Sequence, residues 1–226
     1  MGTISLNRGG FLKGAIASDF ESAGTATSSS SVNDNFSSAD ANAIQYFKSS
    51  GRGGGSFRFT RTFLHFDTSA VSGGSNFVLN IPGNTNAEAN VKGIIHSAGS
   101  SNGSAIVSAD FDNINHSTVY FASTAWSTGS NAISLNATAA TQIINNNDFN
   151  IAILGIEDDG DYGEDPIEAS SGDFNRGVNF GGTINITFTD PAPSGYGHKT
   201  LTVAAANIGK VSTLATASIG KINTVD

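Results

Sequence analysis

The chain has 226 residues, a formal net charge of −8, no cysteine, and only 13% charged residues, against a usual ~25%. The missing cysteine excludes a disulfide framework and a thiolate metal site. The acidic balance argues against nucleic acid, whose phosphates need clustered Lys and Arg. The first 19 residues hold no apolar run long enough for a signal peptide or a membrane span. A chain without cysteine fits assembly in the cytosol, although many bacterial secreted proteins also lack it and release would then need lysis or a dedicated export route; no membrane partner is predicted.

In chain order, residues 1–42 are polar and small, with a serine run at 28–31. They read as an N-terminal arm or loop with one short strand at 3–6, too poor in apolar residues to fold alone and ordered only by docking on the sandwich or on a neighbour. Strands are predicted at 43–48 (AIQYFK) and, after a glycine-rich turn, at 57–67 (FRFTRTFLHFD). In the second of these, Phe57, Phe59, Arg61, Phe63 and His65 share one face, while Arg58, Thr60, Thr62, Leu64 and Phe66 share the other. Apolar residues on both faces predict a central strand. Further strands are predicted at 76–81, 91–97, 105–111, 118–122, 132–135, 149–155 and 183–188, with one short helix at 137–145 (ATAATQIIN). Short strands at regular spacing predict an all-β fold, a jelly-roll-like antiparallel β-sandwich with one short helix, over residues 43–190. Two prolines at 191 and 193 make 191–198 a linker.

Residues 199–226 form a repetitive C-terminal tail. Lysines at 199, 210 and 221 stand eleven residues apart. A threonine three residues on and an aliphatic residue after it recur in the same register, as do Ile208-Gly209 and Ile219-Gly220. As a helix, this period keeps one apolar stripe of Ile208, Val211, Leu214, Ile219, Ile222 and Val225. Gly209 and Gly220 oppose a helix at roughly 1 kcal/mol each, and the β-branched residues equally permit a strand. In either form the stripe is too small to be stable alone and predicts an oligomerisation or docking interface.

Two stretches resemble a known family. Arg61-Thr-Phe-Leu-His-Phe-Asp67 and the residues after it resemble the R-x-F-L-x-F-D-x-S signature of DNRLRE-type jelly-roll domains. Residues 126–153 resemble the second half of that pattern. The tail repeats are similar to the ends of structural proteins in tailed phages, marine and cyanobacterial ones in particular. The resemblance implies a virion structural protein, non-enzymatic, serving as a capsid decoration or head accessory protein or as a tail or fibre component. Its implied partners are other virion proteins and further copies of itself, a trimer among the options. Such domains also serve as adhesive modules, which keeps a carbohydrate-binding role and a host surface glycan in view.

Three constellations bear on chemistry. Asp158, Asp159, Asp161 and Glu164 lie in a glycine-containing acidic run that can offer oxygen ligands to calcium, although the spacing is not that of an EF-hand and a solvated acidic loop explains it better. Asp158 and Glu164 are the one carboxylate pair conceivable for glycoside hydrolysis, with no sign of a cleft around them. Tyr120, Trp126 and Tyr162 are the aromatic residues that could stack on a sugar ring, although with a single tryptophan ordinary core or rim placement explains them better. No cofactor other than calcium is implied. The four histidines fit no metal or catalytic motif, and Arg61 reads as a structural side chain that pairs with a carboxylate or stacks on a ring.

Overall fold

A computed structural model describes residues 1–18, 20–33, 44–51, 54–83, 94–99, 105–115, 117–121, 126–155, 174–178, 180, 182–191, 210–211 and 214–215. The chain divides into two compact units, Met1–Thr189 and Asp190–Asp226. The first is an all-β sandwich of two antiparallel sheets.

Its strands are β1 (Gly2–Ser5), β2 (Arg8–Gly14), β3 (Ser29–Asn33), β4 (Ile44–Gly51), β5 (Gly54–Asp67), β6 (Ser75–Pro82), β7 (Ile94–Gly99), β8 (Ile114–Asn115), β9 (Ser130–Ser134), β10 (Asp148–Gly155), β11 (Phe174–Val178) and β12 (Asn185–Thr189). Helix α1 spans Phe20–Gly24, a 3-10 helix spans Ser108–Asp112 and α2 spans Ala137–Asn145. The smaller sheet has the order β1-β12-β6-β9. The larger runs β11-β4-β5-β10-β7-β8, with β2 also paired to β5 and β3 to β2.

The long strand β5 organises the larger sheet. Its residues Thr62–His65 pair with β2 and with β10 at once, which makes them central. The two-faced pattern has a counterpart in two separate cores. Leu64 and Phe66 face the smaller sheet and meet Phe77, Leu79, Ile81, Ile133, Ile186 and Phe188, joined by Phe149, Ile151 and Ile153 of β10. Phe57, Phe59 and Phe63 face the other way and meet Leu12, Ala23, Ile106, Phe111 and Ala152. At roughly 1.5–3 kcal/mol for each large apolar side chain buried, neither face of β5 could be left wet. A cover of α1 and the 3-10 helix on the outer face supplies what a two-layer sandwich lacks.

Helix α2 forms where the sequence predicts it. Asn136 caps it, its side-chain oxygen accepting the Ala139 N–H at 3.0 Å, and Ala139 and Ile143 turn into the inter-sheet core.

Three expectations are corrected. Residues 1–33 are not an arm beside a sandwich that starts at 43. β1 belongs to the smaller sheet and β2 to the larger, the chain changing sheets where Leu6 N–H donates to Ile184 O at 3.2 Å and Asn7 N–H to His65 O at 3.0 Å. The physical reason is Gly9, Gly10 and Gly14, which dilute the apolar pattern of β2, and Gly14 also allows a close approach. A Cβ on Gly14 would lie 2.8 Å from Phe111 Cζ. The strand predicted at 105–111 is instead a 3-10 turn, because Asp110 Oδ2 accepts the Val107 N–H at 2.9 Å and closes it. The strand predicted at 118–122 is not one over its described residues 118–121. An Asn115–Ser117 side-chain turn precedes it, and the Tyr120 carbonyl is spent on the Asn136 N–H.

In the second unit, β13 (Lys210–Val211) pairs antiparallel with β14 (Leu214–Ala215). The rest of the predicted tail and linker lies outside the described residues, apart from Pro191.

Candidate functional site

Four of the predicted site residues, Asp158, Asp159, Asp161 and Glu164, lie outside the described residues, as does Tyr162. The same holds for Ile208, Ile219, Ile222 and Val225, whereas Val211 and Leu214 stand opposite each other in the β13–β14 register.

Tyr120 and Trp126 are placed. Tyr120 is only 4% exposed, and its ring lies 4.9 Å from Phe149 at 54°. Burial raises its phenol above the ordinary tyrosine range. A ring enclosed in this way offers no face to a sugar, so Tyr120 is a core residue. Trp126 is half-buried against the inter-sheet core, 5.2 Å from the Phe180 ring. Its buried indole N–H has no hydrogen-bond partner among the described residues.

Three buried polar side chains hold the layers together. Arg61, 2% exposed, donates from Nη1 to Phe111 O at 2.7 Å and from Nη2 to Gly24 O at 2.8 Å. Its guanidinium carbon lies 4.2 Å from the centre of the Phe111 ring. It thus ties both pieces of the outer cover to β5, in the ring-stacked structural role its pattern suggests. His65, also 2% exposed, places Nδ1 2.8 Å from Asn150 Oδ1 and Nε2 3.5 Å from Asp148 Oδ1, which links β5 to β10. Asn131 accepts the Ser127 N–H at 2.9 Å and donates to the carbonyls of Ile81 and Ser127, which fixes the approach to β9. Sequence reasoning did not single out Asn131; an asparagine in a chain this rich in asparagine gives no signal.

Among the described residues, one concave feature with both charge and strand backbone is a groove of about 440 Å³. One wall is the run Gly2–Asn7; Asp67, Ser69, Ala70, Val71 and Phe188 complete it. β1 is the outermost described strand of its sheet, so this wall is a strand edge. The facing wall is held in place. Thr68 Oγ1 donates to Asn146 O at 2.7 Å, and Thr68 N–H donates to Asn147 O at 2.8 Å. Asp67 Oδ1 accepts the Ser69 N–H at 3.0 Å and the Ser69 hydroxyl at 2.6 Å. The Ser69 side-chain and backbone bonds hold the Asp67 carboxyl below the ordinary aspartate value. The groove therefore presents a fixed anion beside an array of peptide groups, a combination suited to binding an extended cationic segment.

Among the described residues, no group of three or more His, Asp or Glu side chains is placed to hold a metal ion, and no helix is long and apolar enough to cross a membrane. No protein-family model matches the chain, and comparison with curated proteins finds no relative.

Proposed function

We propose that the chain is a non-enzymatic structural protein of a tailed-phage particle, a capsid decoration or head accessory protein. In this reading the sandwich packs on or projects from the particle, and the tail supplies the assembly contact. The observation that carries it is the eleven-residue register of Lys, Thr, aliphatic, Ile and Gly over residues 199–226. A recurring aliphatic stripe with little core of its own is stabilised by burial against further copies or another protein. The jelly-roll resemblance of 61–67 and 126–153 supports the same reading. So does the use of the buried polar residues, since Arg61, His65 and Asn131 join strands and cover rather than lining a cleft.

Light scattering of the full chain against a chain ending at Thr189 tests this. Assembly of the full chain and a folded monomer after truncation are the expected results. Equal masses for the two would overturn the assembly role of the tail.

A further inference from the structure

The solvent side of the smaller sheet carries no charge. β1, β12, β6 and β9 alternate in burial, so their inward residues fill the core and their outward ones face water. None of the four strands contains Asp, Glu, Lys, Arg or His, in a chain with 19 acidic and 11 basic residues. On the outward side the register sets Asn185 between Ser5 and Asn80, and Thr187 between Thr3 and Val78. Asn80 Nδ2 donates to Asn185 Oδ1 at 2.9 Å and to Thr187 Oγ1 at 3.1 Å. These bonds fix both amides and leave two groups over. Asn80 Oδ1, an acceptor, and Asn185 Nδ2, a donor, have no partner among the described residues. The Thr187 hydroxyl, having accepted, still has its own hydrogen to give.

We propose that this face is a binding site for a neutral oligosaccharide, laid across Asn80, Asn185 and Thr187. A sugar hydroxyl both donates and accepts, so neighbouring hydroxyls of one ring answer a donor and an acceptor held side by side. The Asn80 bonds hold them in place beforehand, which spares part of the ordering cost of binding. An ionic ligand would lose hydration here and meet no counter-charge. Size argues against a second protein as the occupant. Four strands ~4.8 Å apart and about five residues long at ~3.3 Å each give a face of roughly 14 by 17 Å, or about 240 Å². Each partner in a standard protein interface buries ~800 Å². The site lies apart from the Tyr120 ring, which is core, and uses no residue of the tail, so it stands or falls independently of the assembly reading.

The test is side-chain amide NMR of the full chain, titrated with cellohexaose, mannohexaose, maltohexaose and, as the acidic comparison, hexagalacturonate. A neutral hexamer should shift the Asn80 and Asn185 amide signals saturably, and hexagalacturonate should not. Asn185→Asp keeps the oxygen that Asn80 bonds to and removes the free donor. The sheet should stay folded, which circular dichroism verifies, and affinity should fall about tenfold, the worth of one hydrogen bond. No saturable shift with any neutral hexamer, or shifts that map away from these two amides in the unaltered chain, would overturn the site. So would equal binding of hexagalacturonate, or an affinity unchanged by Asn185→Asp. An oligomer whose mass collapses in Asn185→Asp, with no sugar bound by the unaltered chain, would give the face to a second copy and overturn the proposal.

Discussion

Arg61 and Phe111 meet twice: the guanidinium lies over the Phe111 ring at 4.2 Å and donates to the Phe111 carbonyl at 2.7 Å. One side chain thus clamps both the ring and the backbone of the turn that covers the outer core. Its second donor does the same for the carbonyl of Gly24 at the end of α1. Arg61→Lys keeps the charge but loses the planar fork that serves two carbonyls and stacks on the ring. A loss of about 2–4 kcal/mol in urea unfolding is expected, at ~1.5–3 kcal/mol for each charged hydrogen bond. A loss under about 0.5 kcal/mol would show that the clamp is unimportant.

Gly14 passes beneath the same ring. An alanine there would bring its Cβ to 2.8 Å from Phe111 Cζ, and Phe111 is fully buried with nowhere to retreat. Gly14→Ala should cost about 1–3 kcal/mol, as overpacking does. Gly129→Ala, whose new Cβ would meet Ser127 Oγ at an ordinary 3.5 Å, serves as the control in the same thermal melts and should stay within about 0.5 kcal/mol.

Asn136 works at both ends of its amide. Its oxygen caps α2 at Ala139, and its nitrogen donates to Val119 O at 2.6 Å. Asn136→Ala should lose about 1–2 kcal/mol, whereas Asn136→Ser, which keeps a capping oxygen and loses only the Val119 bond, should lose less. Equal losses would show that the Val119 bond, not the cap, dominates.

Asp67 gives a pH signature. Its folded carboxyl titrates below the ordinary aspartate value because Ser69 bonds to the ionised form. Its stabilisation is therefore complete above the unfolded value near pH ~3.9 and lost as pH falls through the lower folded value. Ser69→Ala should raise the Asp67 value in a carbon-detected NMR titration. An unmoved titration would remove Ser69 as the cause.

What the sequence revealed follows from where bulk sits on alternating positions. β5 and β10 were legible because aromatic and branched residues such as Phe63, Leu64 and Ile151 fill both parities, and α2 because alanine and glutamine favour a helix that can turn Ile143 and Ile144 inward. β2 was not legible, since its three glycines erase its pattern, one of them, Gly14, being the one that passes under Phe111. The 3-10 turn at Phe111 was hidden because Asp110 closes it through a side chain, a signal that an apolar count over 105–111 reads as strand. Tyr120 stayed open between core and sugar platform because no pattern tells a ring that packs on Phe149 from one that waits for a sugar. The groove was invisible for another reason: Asn7 and Asp67, sixty positions apart, come together only through the crossing from one sheet to the other.

That crossing has a consequence for how the molecule is made. Ile4 is the register partner of Ile186, so the opening residues find their place only when nearly all of the domain has emerged from the ribosome. Contacts so distant along the chain are slow to form. Until the last strand arrives, β1 lacks its described strand partner, and the domain shuts like a clasp whose two halves are manufactured first and last.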